Sequence, residues 1–306
     1  MTVSESDDPP ADEVSPSGPT RRSVLIDLLQ QPRYEVLPLA GTAEEVAEQV
    51  ATTIPVTVTS APRRGLEPTL ALSEELAGRG YAAVPHLAAR LVRDDAHLAE
   101  VLDRLGSARV RDLFVVAGDS DRPVGRFTDS MQLLQAVARL REAGRGEGVR
   151  AVGVAGYPEG HPQVTDAELD RALLAKQSDA DYVVTQMCFD PAAVHGWIRH
   201  VRRLGFRRPV HVGVPGAVDR LRLLRIAARI GVGTSLRFIR RQHDGATLLR
   251  RSGYRPDDVL TGLTADAGRG SPEVAGLQVY TLGDVAATER WRRELLERLH
   301  EDGRHG

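Results

Sequence analysis

From residue 24 onward the chain alternates between two kinds of pattern. Short β-branched or apolar runs stop abruptly at polar residues, and between them lie segments whose apolar residues recur at helical spacing. The runs fall at residues 33–38, 55–59, 82–87 and 112–119, then from Val152 and from Tyr182, and again at 208–216 and 276–283. The intervening segments predict helices over 24–29, 42–51, 68–80, 95–105, 131–144, around Leu169, Leu173 and Leu174, over 219–228 and over 286–298. Thr42 and Glu45 stand at capping-box spacing at the head of the second helix, and Met131, Leu134, Val137 and Ala138 give the fifth its apolar face. Eight strands alternating with helices predict the α/β class and a single (β/α)8 barrel over residues 23–306. Residues 1–22, with Asp7-Asp8-Pro9-Pro10 and Ser15-Pro16-Ser17-Gly18-Pro19, are too poor in apolar side chains to repay ordering and read as a disordered tail.

Ligand sites in parallel α/β folds lie at the carboxyl ends of the strands. That expectation draws Tyr157, Glu159, His161 and Gln186 together at one end of the barrel. A formal charge of -2 with 27% charged residues has neither the basic excess of a nucleic-acid binder nor an acidic tail, so a small-molecule partner is expected. Lys176 is the only lysine, and the arginine-rich basic set reads as a base-composition bias, not a phosphate-binding device. The single cysteine, Cys188, excludes intrachain disulfides and reads as a small buried residue, which suits a reducing cytoplasm. No apolar run approaches the roughly 18 to 20 residues of a membrane span. Thr20-Arg21-Arg22-Ser23 reads as a basic edge of the folded domain and not as an export signal. His161, His211 and His243 lack metal-ligand spacing, and no metal is expected. Arg237, Arg240 and Arg241 read as a solvated face, with an anionic ligand as the other use. No G-x-G-x-x-G follows a strand into a helix, so any dinucleotide would have to sit in the barrel mouth.

Tyr157-Pro158-Glu159-x-His161-Pro162 followed by Thr185-Gln186-x-x-Phe189-Asp190 resembles the methylenetetrahydrofolate reductase family. Supporting matches are Tyr34-Glu35-x-x-Pro38 in the first strand, Pro85-His86-Leu87 at the end of the third, Gly118-Asp119 after the fourth and Tyr280-Thr281-Leu282 after the eighth. The resemblance implies reduction of 5,10-methylenetetrahydrofolate to 5-methyltetrahydrofolate by NAD(P)H, NADH being favoured, in service of methionine synthesis. It assigns Glu35 as the acid that protonates N10, Asp119 and Gln186 as pterin contacts, and Phe189 as a further substrate contact. Thr59, His86, Gly118, Tyr157, His161 and Lys176 match cofactor-lining positions.

On the flavin side the sequence departs from the family. Ala117 stands where relatives carry the arginine of Arg-Gly-Asp, Phe127-Thr128 replaces Tyr-Ala, and Ala88-Ala89-Arg90 replaces Thr-Cys after Pro-His-Leu. Lys176 is the only basic group where relatives have a pair. Two readings follow: FAD held by altered contacts, or NAD(P)H in the same mouth passing hydride directly to the folate. Losing charge-assisted contacts of roughly 1.5 to 3 kcal/mol each favours the second. A folate-binding barrel without turnover and a methyltransferase acting on methyl-folate are the alternatives. The sequence sets no oligomeric state.

Overall fold

The computed structural model of the chain describes residues 19–60, 64–219, 222–223, 254–265, 267 and 274–304. The proposed tail up to residue 18, the greater part of the helix expected over 219–228, the arginines at 237, 240 and 241 and His243 lie outside the described residues. Eight parallel strands close in sequence order, β1 pairing with β8. They are β1 Arg33–Val36, β2 Val56–Val58, β3 Ala83–Ala88, β4 Asp112–Val116, β5 Ala151–Gly156, β6 Tyr182–Thr185, β7 Val210–Pro215 and β8 Gly276–Tyr280. The described helices are α1 Arg21–Gln30, α2 Thr42–Gln49, α3 Glu67–Gly78, α4 Asp95–Ser107, α5 Ser130–Glu142, α6 Asp166–Lys176, α7 Pro191–Arg203, α8 Asp257–Leu263 and α9 Val285–Asp302. This is the expected (β/α)8 barrel. Among the described residues no helix is long and apolar enough to cross a membrane.

The loops that leave the strands turn into helices at side chains suited to the turn. Asp94, Asp129, Asp190 and Asp284 each accept backbone N–H bonds at the starts of α4, α5, α7 and α9, satisfying donors that a helix N-terminus otherwise leaves open. Thr165 and Glu168 form a reciprocal capping box on α6. The capping box expected at Thr42 and Glu45 does not form. Gly41, at φ +80°, takes the N-cap position of α2, the Thr42 hydroxyl donates to Leu37 O, and Glu45 reaches across to accept from the backbone of Val285 and Ala286. The α9 N-terminus is the stronger draw because it offers a carboxylate two unsatisfied donors and the positive end of a helix dipole. The apolar face of α5 is Leu133, Leu134, Ala136 and Val137, rotated from the expected stripe. Thr20 caps α1, and Arg22 Nε donates to Leu299 O at 2.6 Å, so Thr20-Arg21-Arg22-Ser23 belongs to a helix packed beside α9.

Strand alternation separates two cores. Tyr34 and Val36 point outward from β1 into the helix layer, where the Tyr34 hydroxyl donates to Glu289 Oε2 at 2.6 Å and Arg292 braces both Glu289 oxygens. Arg33 and Glu35, one residue either side of Tyr34, point into the barrel. At the start of the strands Arg33 donates to the Tyr182 hydroxyl at 2.7 Å and to Asp112 Oδ2 at 2.9 Å, and Tyr182 donates to Asp112 Oδ1 at 2.9 Å. The His211 ring meets Tyr182 edge-on with centroids 5.4 Å apart. Val84, Phe114 and Val184 pack with Tyr182 to fill the barrel above this polar plug. Two strand glycines make the filling possible: Cβ atoms at Gly153 and Gly213 would collide with the rings of Tyr182 and Tyr280.

Candidate active site

Glu35 is the most perturbed carboxyl at the carboxyl ends of the strands. Burial pushes its pKa up from the ordinary 4.5 to about 8, against the smaller opposing effect of a hydrogen bond from Gln278. The backbone around it is fixed from β8: Thr281 N and the Thr281 hydroxyl both bind Glu35 O, at 3.1 and 2.7 Å. Gln278 Nε2 donates to Glu35 Oε2 at 3.1 Å, and Thr57 donates to Gln278 Oε1 at 3.3 Å. His86 Nε2 stands 3.6 Å from the same Glu35 oxygen. It has no hydrogen-bond partner among the described residues. Desolvation holds the imidazole down at about 3, so near neutral pH the acid and the imidazole face each other uncharged and form no salt bridge. The His86 ring lies 4.7 Å from that of Phe114.

The other wall of the mouth comes from β5, β6 and β8. The Tyr280 hydroxyl donates to Thr185 O at 3.0 Å, and burial, with Glu35 next in effect, raises its pKa far above the ordinary range. Tyr157 is half-buried with its ring edge-on to His161, centroids 5.3 Å apart, and its pKa is raised by burial and then by the Asp119 carboxylate. His161 Nδ1 accepts from Gln163 N at 3.2 Å. Glu159 Oε1 accepts from Phe189 N at 3.0 Å and Asp190 N at 3.3 Å. It thereby ties the loop after β5 to the loop after β6. Gln186 turns its Oε1 back to its own loop, accepting from Met187 N at 2.9 Å, and its amide NH2 has no partner among the described residues and is the group that can meet a ligand.

Asp119 is exposed on the loop after β4 and has no hydrogen bond among the described residues. Gly118 precedes it at φ +88°, and a Cβ there would lie 2.9 Å from that of Ala88, so only glycine brings the two loops this close. Thr59 is half-buried where β2 ends, its N–H donating to Val36 O and its carbonyl accepting from the Thr69 hydroxyl. Lys176 is half-buried at the last residue of α6, its pKa lowered by desolvation, with Asp129 pulling the other way. Phe189, expected as a substrate contact, lies on the loop after β6. Its ring is 1% exposed and packs with Met187, Val218, Leu223 and Leu282, so it supports the β6 loop from beneath. Cys188 is buried, its thiol donating to Gln186 O at 2.9 Å, and burial raises its pKa.

Arg90 accounts for a sequence departure. Its Nε donates to Thr128 O and its Nη1 to Ser120 O, both at 3.0 Å, so its charge is spent on the backbone of the loop that follows Ala117. Thr57, Gln278 and Tyr280 were missed as site residues by sequence reasoning. The available signal was a polar residue inside a buried apolar run, Val56-Thr57-Val58 and Leu277-Gln278-Val279, whose alternation points it into the barrel. A shallow hollow between Leu174, Gln177, Ser178, Arg207 and Arg208 lies where α6 and α7 return to their next strands, away from this chemistry.

A sequence model described as methylenetetrahydrofolate reductase matches residues 38–231. Glu35, Gln278 and Tyr280 lie outside that segment. Methylenetetrahydrofolate reductase 2 of Saccharomyces cerevisiae is 40% identical over 68 residues, 21% of this chain and 11% of that protein. "Probable methylenetetrahydrofolate reductase (NADPH)" of Caenorhabditis elegans is 28% identical over 120 residues, 38% of this chain and 18% of that protein. The match therefore spans under a fifth of these curated relatives. Among solved structures, dihydropteroate synthase from Thermus thermophilus aligns at a TM-score of 0.44 and 18% identity, over 89% of this chain and 95% of that one.

Proposed function

The chain belongs to the methylenetetrahydrofolate reductase family, and on that premise we propose that it reduces 5,10-methylenetetrahydrofolate to 5-methyltetrahydrofolate with hydride from NAD(P)H, NADH being favoured. The observation that carries the reading is Glu35. Opening the methylene bridge requires a proton on the departing N10, and a carboxyl held near pKa 8 by burial is still protonated at neutral pH. Glu35 gives that proton as the C–N10 bond breaks, and the reduced nicotinamide supplies hydride to the resulting iminium carbon. Asp119, exposed and unpaired among the described residues, accepts from the amidine edge of the pterin, and the free amide NH2 of Gln186 donates to the ring. Thr59, His86, Gly118, Tyr157, His161 and Lys176 line the cofactor side.

We read the rim as ill suited to FAD. Ala117 offers no charge to a pyrophosphate, and the neighbouring Arg90 has two of its donors committed to Ser120 O and Thr128 O. No step is therefore assigned to a flavin, and the nicotinamide is taken to lie beside the folate in one mouth. We further propose that residues 23–306 form one catalytic unit acting in the cytoplasm.

The test is oxidation of NADH dependent on methylenetetrahydrofolate, together with the visible spectrum of the purified protein. Turnover by a colourless protein that Glu35→Gln abolishes is expected. A protein that never oxidises NADH, and binds folate equally well before and after Glu35→Gln, would instead be a binding barrel. Stoichiometric yellow flavin would remove the direct-transfer reading.

A further inference from the structure

The contacts on Glu35 are lopsided. Gln278 Nε2 and His86 Nε2 both address Oε2, at 3.1 and 3.6 Å. Oε1 has no hydrogen-bond partner among the described residues, and it is not one of the buried unpartnered atoms. The Glu35 side chain keeps 13% of its surface exposed. Solvent, or a ligand in the mouth, therefore meets Oε1.

The Gln278 amide is itself oriented. The Thr57 hydroxyl, 1% exposed on β2, donates to Gln278 Oε1, and Gln278 is 1% exposed on β8. A carboxamide whose oxygen is taken by a hydroxyl presents its NH2 to the opposite side, where Oε2 of Glu35 lies. A carboxylic acid has one hydroxyl oxygen and one carbonyl oxygen, and the oxygen that accepts an N–H bond is the carbonyl one. Its proton then sits on the other oxygen.

We infer that Gln278, set by Thr57, is the positioning residue of this site: it holds Oε2 of Glu35 as acceptor and so keeps the transferable proton on Oε1, facing the mouth. The inference rests on the reductase reading for the use of that proton, but not for its location. When the proton leaves Oε1 for an acceptor in the mouth, the carboxylate that remains already has the Gln278 N–H on Oε2, with no rearrangement required. Among the described residues the titratable groups facing Glu35 are His86 on β3, which is uncharged near neutral pH, and Tyr280 on β8. Arg33, one inward position lower on β1, is paired with Asp112 and Tyr182.

The test is an infrared titration of the full chain without substrate. The Glu35 carboxyl stretch is identified as the band missing from Glu35→Gln. Gln278→Met keeps length and volume but removes the donor, and its Glu35 midpoint is expected to rise by about one pH unit, because a bond to the charged form has gone. Thr57→Val, which only releases the amide, is expected to raise it less. In a reductase assay Gln278→Met lowers kcat with KM little changed. Midpoints that stay at the wild-type value in both folded variants overturn the inference. A raised midpoint in a protein whose wild type never turns over methylenetetrahydrofolate would support the inference and sink the reductase reading alone.

Discussion

Replacing Glu35 by glutamine separates stability from activity. The buried carboxyl has a folded-state pKa of about 8 against an ordinary 4.5. A raised carboxylate pKa means that the native state holds a proton which the unfolded chain releases as pH rises past 4.5, so stability falls through that window and levels off above 8. At about 1.4 kcal/mol per pH unit the distance between the two values amounts to roughly 5 kcal/mol above pH 8, and about 3 kcal/mol at pH 7. Glutamine has nearly the same shape, can keep the contact with Gln278 Nε2, and does not titrate. The variant is therefore expected to match the wild type near pH 4, to exceed it by about 3 kcal/mol at pH 7 and by up to roughly 5 kcal/mol above pH 8. His86 titrates in both proteins and cancels from the difference. Urea unfolding at pH 4.5, 7 and 8.5, with equal m values as the check on two-state behaviour, reads this directly. The same variant loses turnover. A stability difference independent of pH, or a wild type more stable than the variant at pH 8.5, would refute the reasoning.

Three further outcomes are expected. Arg33→Met strips the polar plug of its cation and leaves Asp112 facing Tyr182 in the barrel, costing about 3 to 5 kcal/mol in chemical denaturation; a loss under about 1 kcal/mol would show that the charge is not needed there. Gly213→Ala drives a methyl into the Thr185 carbonyl oxygen and to within 2.7 Å of the Tyr280 ring, and is expected to cost at least about 1 to 3 kcal/mol and to lower activity by displacing the β6 backbone and that ring; unchanged thermal unfolding and kcat would contradict it. Glu159→Ala frees the amides of Phe189 and Asp190, so KM for the folate is expected to rise with stability down by about 1 to 3 kcal/mol, and an unchanged KM would mean the β6 loop is held by its packed Phe189 alone.

The barrel was legible because each strand is a short apolar run that ends at polar residues and most of the segments between carry helical spacing, whereas α7, which Asp190 caps, was not among the expected helices. Glu35 was legible only through its motif, since a glutamate in a strand reads by itself as solvated. Its burial depends on closure of β1 against β8, a contact between residues 243 positions apart, and no local pattern encodes it. Gln278 and Thr57 escaped notice for the same reason: each looks like one polar residue in an apolar run until the barrel brings them together. Glu45 shows the converse. Its local spacing to Thr42 suggests a capping box, but tertiary structure places the open donors of α9 nearer, and the carboxylate goes there. Phe189 reads as a substrate contact from its motif, and its packing against Met187 and Leu282 is a tertiary feature that the motif does not encode.

The most direct measurement of the central claim follows the hydride itself. The purified chain, freed of any flavin, is given NADH deuterated at the transferred C4 position together with methylenetetrahydrofolate in ordinary water, and the methyl group of the product is analysed by mass spectrometry. Direct transfer predicts one deuterium retained per methyl group formed. A methyl group carrying solvent hydrogen, formed only after FAD is added back, would contradict it, because hydrogen held on a reduced flavin nitrogen exchanges with water before it reaches the folate.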